Sequence, residues 1–123
     1  MQTILTDFYT LKSYDKAENG SFVAHIRLNS DHEIFKGHFP GNPVTPGVCM
    51  MQIVKELTEE ITGSKLFLKT ASNVKFMAII NPFETPDLTV QLDINEGEDE
   101  IKVKNTTLFG ETIALKMSVH YKR

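Results

Sequence analysis

One long apolar helix, predicted near the middle of the chain, constrains the fold more than any other feature of the sequence. Pro46 suits the first helical position, Thr45 can serve as N-cap, and Gly63 can close the C-terminal end. A helix that is apolar on all sides is normally surrounded by protein. The rest of the chain must therefore wrap around this segment, whose first half is apolar nearly all round and contains Val48, Cys49, Met50, Met51, Ile53 and Val54.

The sequence on either side of this helix predicts strands. Residues 30–46 are rich in Gly, Pro, Asp and Asn, which is typical of a loop. Short turns between the last three strands favour an antiparallel meander. The sequence therefore predicts an α+β fold, a strongly curved antiparallel sheet around one central helix. Period-two apolar patterns place the strands at 21–29, 65–80, 87–95, 100–108 and 112–121.

Length and composition predict a single domain over residues 1–123 with a globular composition, 41% hydrophobic and 24% charged. The net charge of -3 and the lack of a basic block argue against a nucleic-acid partner. The single cysteine fits a reducing compartment. We find no leader-like start and no apolar run of membrane-spanning length. These features predict a cytoplasmic protein without membrane insertion.

The segment GHFPGNPVTPGV, residues 37–48, surrounds a histidine with residues that restrict the backbone. Three prolines and two glycines follow His38 before the helix is under way. Catalytic side chains need such positional control, and an imidazole titrates near neutral pH. His38 is therefore a candidate general base, and the alternative is a loop histidine that is merely hydrogen-bonded.

Two residues of the predicted helix are further candidates. Gly47 falls in the first turn, where backbone N–H groups lack intrahelical partners and can stabilise an oxyanion. Its alternative role is a packing glycine between helix and sheet. Gln52 lies in the apolar half, and a buried amide needs partners. It is either a structural amide that ties down a loop or a side chain that faces a cavity.

The other potentially reactive residues are weaker candidates. His25 and His120 lie on strand faces opposite the apolar stripe and are predicted to face solvent, and His32 is a loop residue without an obvious partner. Cys49 lies in the apolar helix and is predicted to belong to the core. We find no metal-ligand spacing, phosphate loop or serine nucleophile motif, so no metal or cofactor is predicted.

The segment from His38 to Val48 resembles the signature of the 3-hydroxyacyl-ACP (acyl carrier protein) dehydratases of the hot-dog fold. The likeness includes His38, the Phe-Pro-Gly after it, Pro43, and Pro46-Gly47-Val48. A weaker likeness covers VKFMAIINPFE, residues 74–84, where Phe83-Glu84 replaces the Gly-Asp of the family.

This resemblance implies a site shared between two paired subunits, which receives an acyl chain on the phosphopantetheine arm of acyl carrier protein. It implies a homodimer, or a larger assembly of dimers. It assigns His38 as the base that removes the C2 proton and Gly47 as the position that binds the thioester carbonyl. The family's acid, usually Glu, lies fourteen residues after the histidine, where this chain has Gln52.

Gln52 leaves three interpretations open, because an amide cannot give up a proton at neutral pH. Gln52 orients the hydroxyl or a water while His38 carries the proton, or Glu56, one turn further on, replaces the acid. Alternatively the protein does not dehydrate, and instead binds acyl thioesters, isomerises an enoyl chain or hydrolyses the thioester as other hot-dog proteins do. The resemblance therefore predicts a dehydratase, with a non-catalytic acyl-thioester-binding subunit or a thioesterase as alternatives.

Overall fold

A computed structural model of the chain describes residues 7–37 and 44–123. None of the helices in these ranges is long and apolar enough to cross a membrane. The described elements, in chain order, are β1 Tyr9–Lys16, β2 Phe22–Leu28, α1 Glu33–Gly37, α2 Gly47–Thr62, β3 Phe67–Phe76, β4 Asp87–Glu96, β5 Glu100–Phe109 and β6 Thr112–Lys122.

The strands form one antiparallel sheet in the order β1-β2-β4-β5-β6-β3. Strands β4 to β6 are the predicted meander. Alternate side chains of β2 and β4 to β6 are buried in the same apolar core as one face of α2. This arrangement confirms the predicted α+β fold of a curved antiparallel sheet and one long helix. The buried residues of α2 are Cys49, Met50, Ile53, Val54, Leu57 and Thr58.

The two ends of α2 differ in how well the sequence predicted them. Gly63 closes the helix in the left-handed conformation, with φ of 69°, as expected. The prediction for the N-terminus was wrong by one residue, because Pro46 is the N-cap and Gly47 is the first helical residue. Pro46 has the extended backbone of a cap, and its carbonyl accepts the Cys49 N–H at 3.0 Å. Thr45 makes no capping bond, and its N–H donates instead to the Ile80 carbonyl at 2.9 Å.

Three further elements depart from the prediction. Strand β1 was not predicted, because a bulge between Leu11 and Ser13 breaks its alternating pattern. Helix α1 lies inside the stretch predicted as loop, and its five residues are too few to show a helical period. Strand β3 ends at Phe76, short of the predicted end at residue 80, because the N–H groups of Met77 and Ala78 both bond the Ala114 carbonyl, at 2.8 and 3.3 Å, which interrupts the regular pairing with β6.

The two edge strands of the sheet carry different surfaces. Every residue of β3 is exposed. The opposite edge, β1, carries Lys12, Asp15 and Lys16. The expectation that α2 is surrounded by protein holds on one side only, because Val48 is 65% exposed. Apolar side chains are also uncovered on β3 and beyond its end, namely Phe67, Leu68, Val74, Phe76, Met77, Ile79 and Phe83.

Replacing Ile53 with valine should lower the free energy of unfolding by about 0.5–1.5 kcal/mol, because it removes one methylene from a closed core. Ile53 is fully buried on α2. Both residues are branched at Cβ, so helix propensity changes little. Ile113→Val is the control, since Ile113 on β6 is 36% exposed, lies outside the apolar surface of β3, and should lose much less. Urea unfolding measures both variants, and equal losses would contradict the position of Ile53 in the core.

Candidate active site

The N-terminus of α2 presents backbone donors. The helix runs for 16 residues from Gly47, and the Pro46 carbonyl takes up the N–H groups of Cys49 and Met50. The N–H groups of Gly47 and Val48 precede these and have no carbonyl within the helix to bond. Together with the helix dipole they can stabilise negative charge on a carbonyl oxygen that approaches this end.

Gly47 lies directly beneath an aromatic ring. A Cβ atom at this position would lie 2.6 Å from Cζ of Phe76, at the end of β3. Gly47 therefore packs against the sheet, which agrees with its alternative role as a packing glycine. The Phe76 side chain is 55% exposed, so its ring forms an apolar wall beside the helix N-terminus.

Gln52 is held in a chain of hydrogen bonds that crosses from α2 to β1. Its side-chain nitrogen Nε2 donates to Oε2 of Glu56 at 2.9 Å, one turn further along the helix. The other carboxylate oxygen, Oε1, accepts the hydroxyl of Tyr9 at 2.9 Å. All three side chains are half-buried. The bond joins Gln52 to its own helix and not to a loop, so the two predictions for Gln52, a structural amide that ties down a loop or a side chain that faces a cavity, stay predictions.

The surroundings of Tyr9, including Glu56, raise the pKa of its hydroxyl. Burial raises the pKa of the Tyr9 hydroxyl well above its usual range, and the negative charge of Glu56 raises that pKa further. Tyr9 therefore keeps its proton throughout the physiological range and remains a donor. Burial likewise raises the pKa of the Cys49 thiol. Cys49 is 3% exposed, so it belongs to the core as predicted.

Gly47 and Gln52 lie on different sides of α2. Five residues of helix separate them by about 7.5 Å along the axis and about 140° around it. One ligand atom cannot readily meet both positions of the same helix.

His38 lies outside the residues that the structure describes. The remaining histidines are distributed over the fold. His25 is exposed, as predicted, and His120 is half-buried. The prediction that His32 has no partner was wrong, because its Nδ1 accepts the Ile34 N–H at 3.1 Å and its ring packs edge-on against Phe8.

Two residues of this region were not singled out from the sequence. Tyr9 meets Glu56 across 47 residues of chain, and no local pattern signals such a pair. Phe76 was named only within the segment VKFMAIINPFE, inside a strand predicted to run to residue 80. The sequence therefore carried no signal that its ring lies against Gly47.

Solved structures of low sequence identity define the class of fold. The chain superposes on a dehydratase of the ApeI:P heterocomplex from Xenorhabdus doucetiae with a TM-score of 0.73 and 16% identity, which covers 93% of this chain and 97% of that one. It superposes on a mutant thioesterase from Pseudomonas aeruginosa with a TM-score of 0.67 and 9% identity, over 95% and 81% of the two chains. The fold is the hot-dog fold, as predicted.

The family follows from a match to the ApeI-like family model, described as ApeI dehydratase, over residues 14–113. The chain belongs to the ApeI-like dehydratase family. It is also similar to 3-hydroxyacyl-(acyl-carrier-protein) dehydratases FabZ. The one from Latilactobacillus sakei is 29% identical over 93% of this chain and 84% of its own length. The one from Pediococcus pentosaceus is 34% identical over 63% of this chain, and the match spans 58% of that relative.

Proposed function

We propose that this protein is a cytoplasmic dehydratase that converts a 3-hydroxyacyl thioester on acyl carrier protein into the 2-enoyl thioester. One observation carries the proposal. In a chain of the ApeI-like dehydratase family, a glycine nine residues after His38 opens the first turn of a 16-residue helix. The three atoms nearest to a Cβ at this glycine all belong to the Phe76 ring. The thioester carbonyl accepts hydrogen bonds at this turn, which stabilises the charge that develops when C2 loses its proton.

The reaction needs one base and one proton donor. His38 takes the proton from C2, and the electron pair of that C–H bond forms the C2–C3 double bond. The C3–O bond breaks, and the leaving oxygen takes the proton from the His38 imidazolium to give water. His38 returns to its neutral form, so protons and electrons balance without a second acid. Imidazole suits both steps because its pKa lies near neutral pH.

In this mechanism Gln52 orients the 3-hydroxyl group. An amide oxygen can accept the hydroxyl proton, which turns the lone pairs of the hydroxyl oxygen toward His38. Glu56 is the alternative proton donor. Both of its oxygens accept hydrogen bonds, from Tyr9 and from Gln52, which is the arrangement of an ionised carboxylate. The contacts therefore favour Gln52 in the orienting role over Glu56 as the acid.

The test is incubation of the protein with 3-hydroxyacyl-ACP while two products are followed. The conjugated enoyl thioester is measured by its ultraviolet absorbance, and free thiol is measured with a thiol reagent. We expect enoyl product and no thiol release. Thiol release without enoyl product would identify a thioesterase, and binding without either product would identify an acyl-thioester-binding subunit.

We further propose that a second copy of the chain covers the β3 edge. The exposed apolar side chains there and on α2, including Val48 beside Gly47, support this partner. The charged edge β1 does not offer such a surface.

Replacing Val74 with lysine should convert a dimer into a monomer. Val74 is 37% exposed on β3, and a two-fold interface places the new charge in it twice. Tyr14→Lys is the matched control, because Tyr14 is 38% exposed on the opposite edge strand. Sedimentation velocity measures the mass of each. A monomeric wild-type protein, or a dimer that survives Val74→Lys but not Tyr14→Lys, contradicts this interface.

A second candidate function is a binding subunit in a mixed pair. The amide of Gln52, where the family that this segment resembles has its acid, favours it, and the structural neighbour from Xenorhabdus doucetiae comes from a heterocomplex. This candidate predicts that the isolated protein binds acyl-ACP and forms no enoyl product. Substituting His38 would then leave the affinity for acyl-ACP unchanged.

A further inference from the structure

We infer that Glu56 and Tyr9 are positioning residues, which lock the side-chain amide of Gln52 so that its carbonyl oxygen is presented to the 3-hydroxyl group of the substrate. This inference rests on the proposed dehydration and goes beyond it, because it explains how an amide serves the site. It also gives Glu56 a different role from that of an acid. Tyr9, on strand β1, is the last residue in this series of hydrogen bonds.

The side-chain amide of Gln52 can take two orientations. An amide has two ends of nearly equal size, and rotation by half a turn exchanges its donor nitrogen and its acceptor oxygen. A carboxylate only accepts hydrogen bonds, so it selects the orientation with the nitrogen toward it. Nε2 of Gln52 lies 2.9 Å from Oε2 of Glu56. The carbonyl oxygen of Gln52 is therefore turned away from Glu56, and within residues 7–37 and 44–123 no hydrogen bond to it is found, so it can serve as an acceptor.

The carboxylate of Glu56, which selects this orientation, is itself held in place. A glutamate on a helix surface can adopt several rotamers, and Glu56 is held by a bond from outside its helix. The Tyr9 hydroxyl donates to its other oxygen, Oε1, at 2.9 Å. Tyr9 belongs to β1, which pairs with β2, so the sheet holds the Tyr9 end of this series of hydrogen bonds in place. Each carboxylate oxygen thus has one protein donor, and the whole group has one favoured position.

Two other acidic residues of α2 have to be compared with Glu56. Glu59 and Glu60 follow on the same helix, and their negative charges also raise the pKa of the Tyr9 hydroxyl. Glu59 is engaged elsewhere, since its Oε2 accepts the Leu66 N–H at 2.8 Å and pairs with Lys55 at 3.3 Å. Glu60 is exposed. Among the described acidic residues of this helix, Glu56 is the one that bonds both Gln52 and Tyr9.

The consequence for catalysis follows from the direction of the hydroxyl proton. If the carbonyl oxygen of Gln52 accepts that proton, the hydroxyl oxygen keeps its lone pairs for the proton that His38 returns. If the amide turns over, it presents N–H groups that compete for the same lone pairs. Locking the amide therefore acts on the chemical step, kcat, more than on the binding of the substrate. A residue needed only for stability would not produce this difference.

The experiment compares Glu56→Gln and Tyr9→Phe with two matched controls. Glu60→Gln makes the same charge change on an exposed position of the same helix, and Tyr14→Phe removes a hydroxyl from the same strand. With 3-hydroxyacyl-ACP we expect kcat of the two test variants to fall about 10- to 100-fold, the rate equivalent of one hydrogen bond to a charged group. KM should stay within about twofold, and both controls should match wild type.

A second readout does not need turnover. The side-chain N–H signals of Gln52 in a proton–nitrogen NMR spectrum report its bond to Glu56, and Gln52→Asn identifies those signals. We expect them to shift in Glu56→Gln and Tyr9→Phe and to stay in place in Glu60→Gln and Tyr14→Phe. Unchanged Gln52 signals in Glu56→Gln would overturn the inference whatever the kinetics, which also covers a variant that folds poorly.

The outcomes separate this inference from the function on which it rests. Wild-type protein that forms no enoyl product ends the proposed dehydration and the inference together. Wild-type turnover, with kcat of Glu56→Gln equal to that of Glu60→Gln, overturns the inference and leaves the dehydratase standing. Equal losses in Glu56→Gln and Glu60→Gln also overturn it, because they would show an effect of overall charge.

Discussion

Replacing His38 with alanine is expected to lower kcat for dehydration by about 10²–10⁴, the usual contribution of a general base. The loss should lie at the high end of this range, because the proposed mechanism uses His38 twice, to take the C2 proton and to return it to the leaving oxygen. KM should change little, since in the proposed mechanism the carbonyl binds at Gly47 and the acyl chain binds elsewhere.

His25→Ala is the matched control for this prediction. His25 is exposed on β2, so its loss removes an imidazole without touching the core. Both variants are compared with wild type for enoyl formation and for binding of acyl-ACP. If His38→Ala turns over as fast as His25→Ala, His38 is not the base and the proposed mechanism fails.

Replacing Gln52 with glutamate is expected to raise kcat, by up to about 10²–10⁴ if the acid becomes fully effective. The new carboxyl group lies one helical turn from Glu56, about 5–6 Å between Cβ atoms. Two carboxylates at this distance repel each other, which raises the pKa of one of them. The proton held there can be given to the leaving hydroxyl. The variant then has a true general acid where the wild type has an orienting amide.

The pH dependence of Gln52→Glu gives the sign of this effect. A raised carboxyl pKa means that the acid form is present below that pKa and is lost as the pH rises through it. The gain over wild type should therefore be largest at low pH and shrink toward high pH. Gln91→Glu, on an exposed position of β4, adds the same charge away from the helix and should change nothing. An equal or lower kcat in Gln52→Glu at every pH would refute the assignment of position 52.

The comparison of sequence and structure is uneven along the chain, and the reasons are physical. Local patterns sufficed where the period was long and unbroken, as in β4 to β6 and in α2 with its closing glycine at Gly63. They failed where the pattern was interrupted, as at the bulge in β1, or too short, as in α1. The helix start was displaced because Thr45 bonds to Ile80, a residue far along the chain.

The same division holds for the candidate site. A pattern of residues within one segment singled out His38, Gly47 and Gln52, because chain geometry over a few residues follows from prolines, glycines and helical periodicity. The sequence by itself thus determined the fold class and the family resemblance, and it predicted the site segment. Their roles stay proposals, and His38 lies outside the described residues.

Only the tertiary structure decided what surrounds these residues. It brought Tyr9 to Glu56 and so gave Gln52 a defined partner, and it laid the ring of Phe76 on Gly47. It also left β3 exposed as one edge of the sheet. The contacts of Tyr9 with Glu56 and of Phe76 with Gly47 join elements that lie far apart in the chain. Hydrogen bonds and packing between such elements depend on the register and order of the strands, which no local pattern in the sequence encodes.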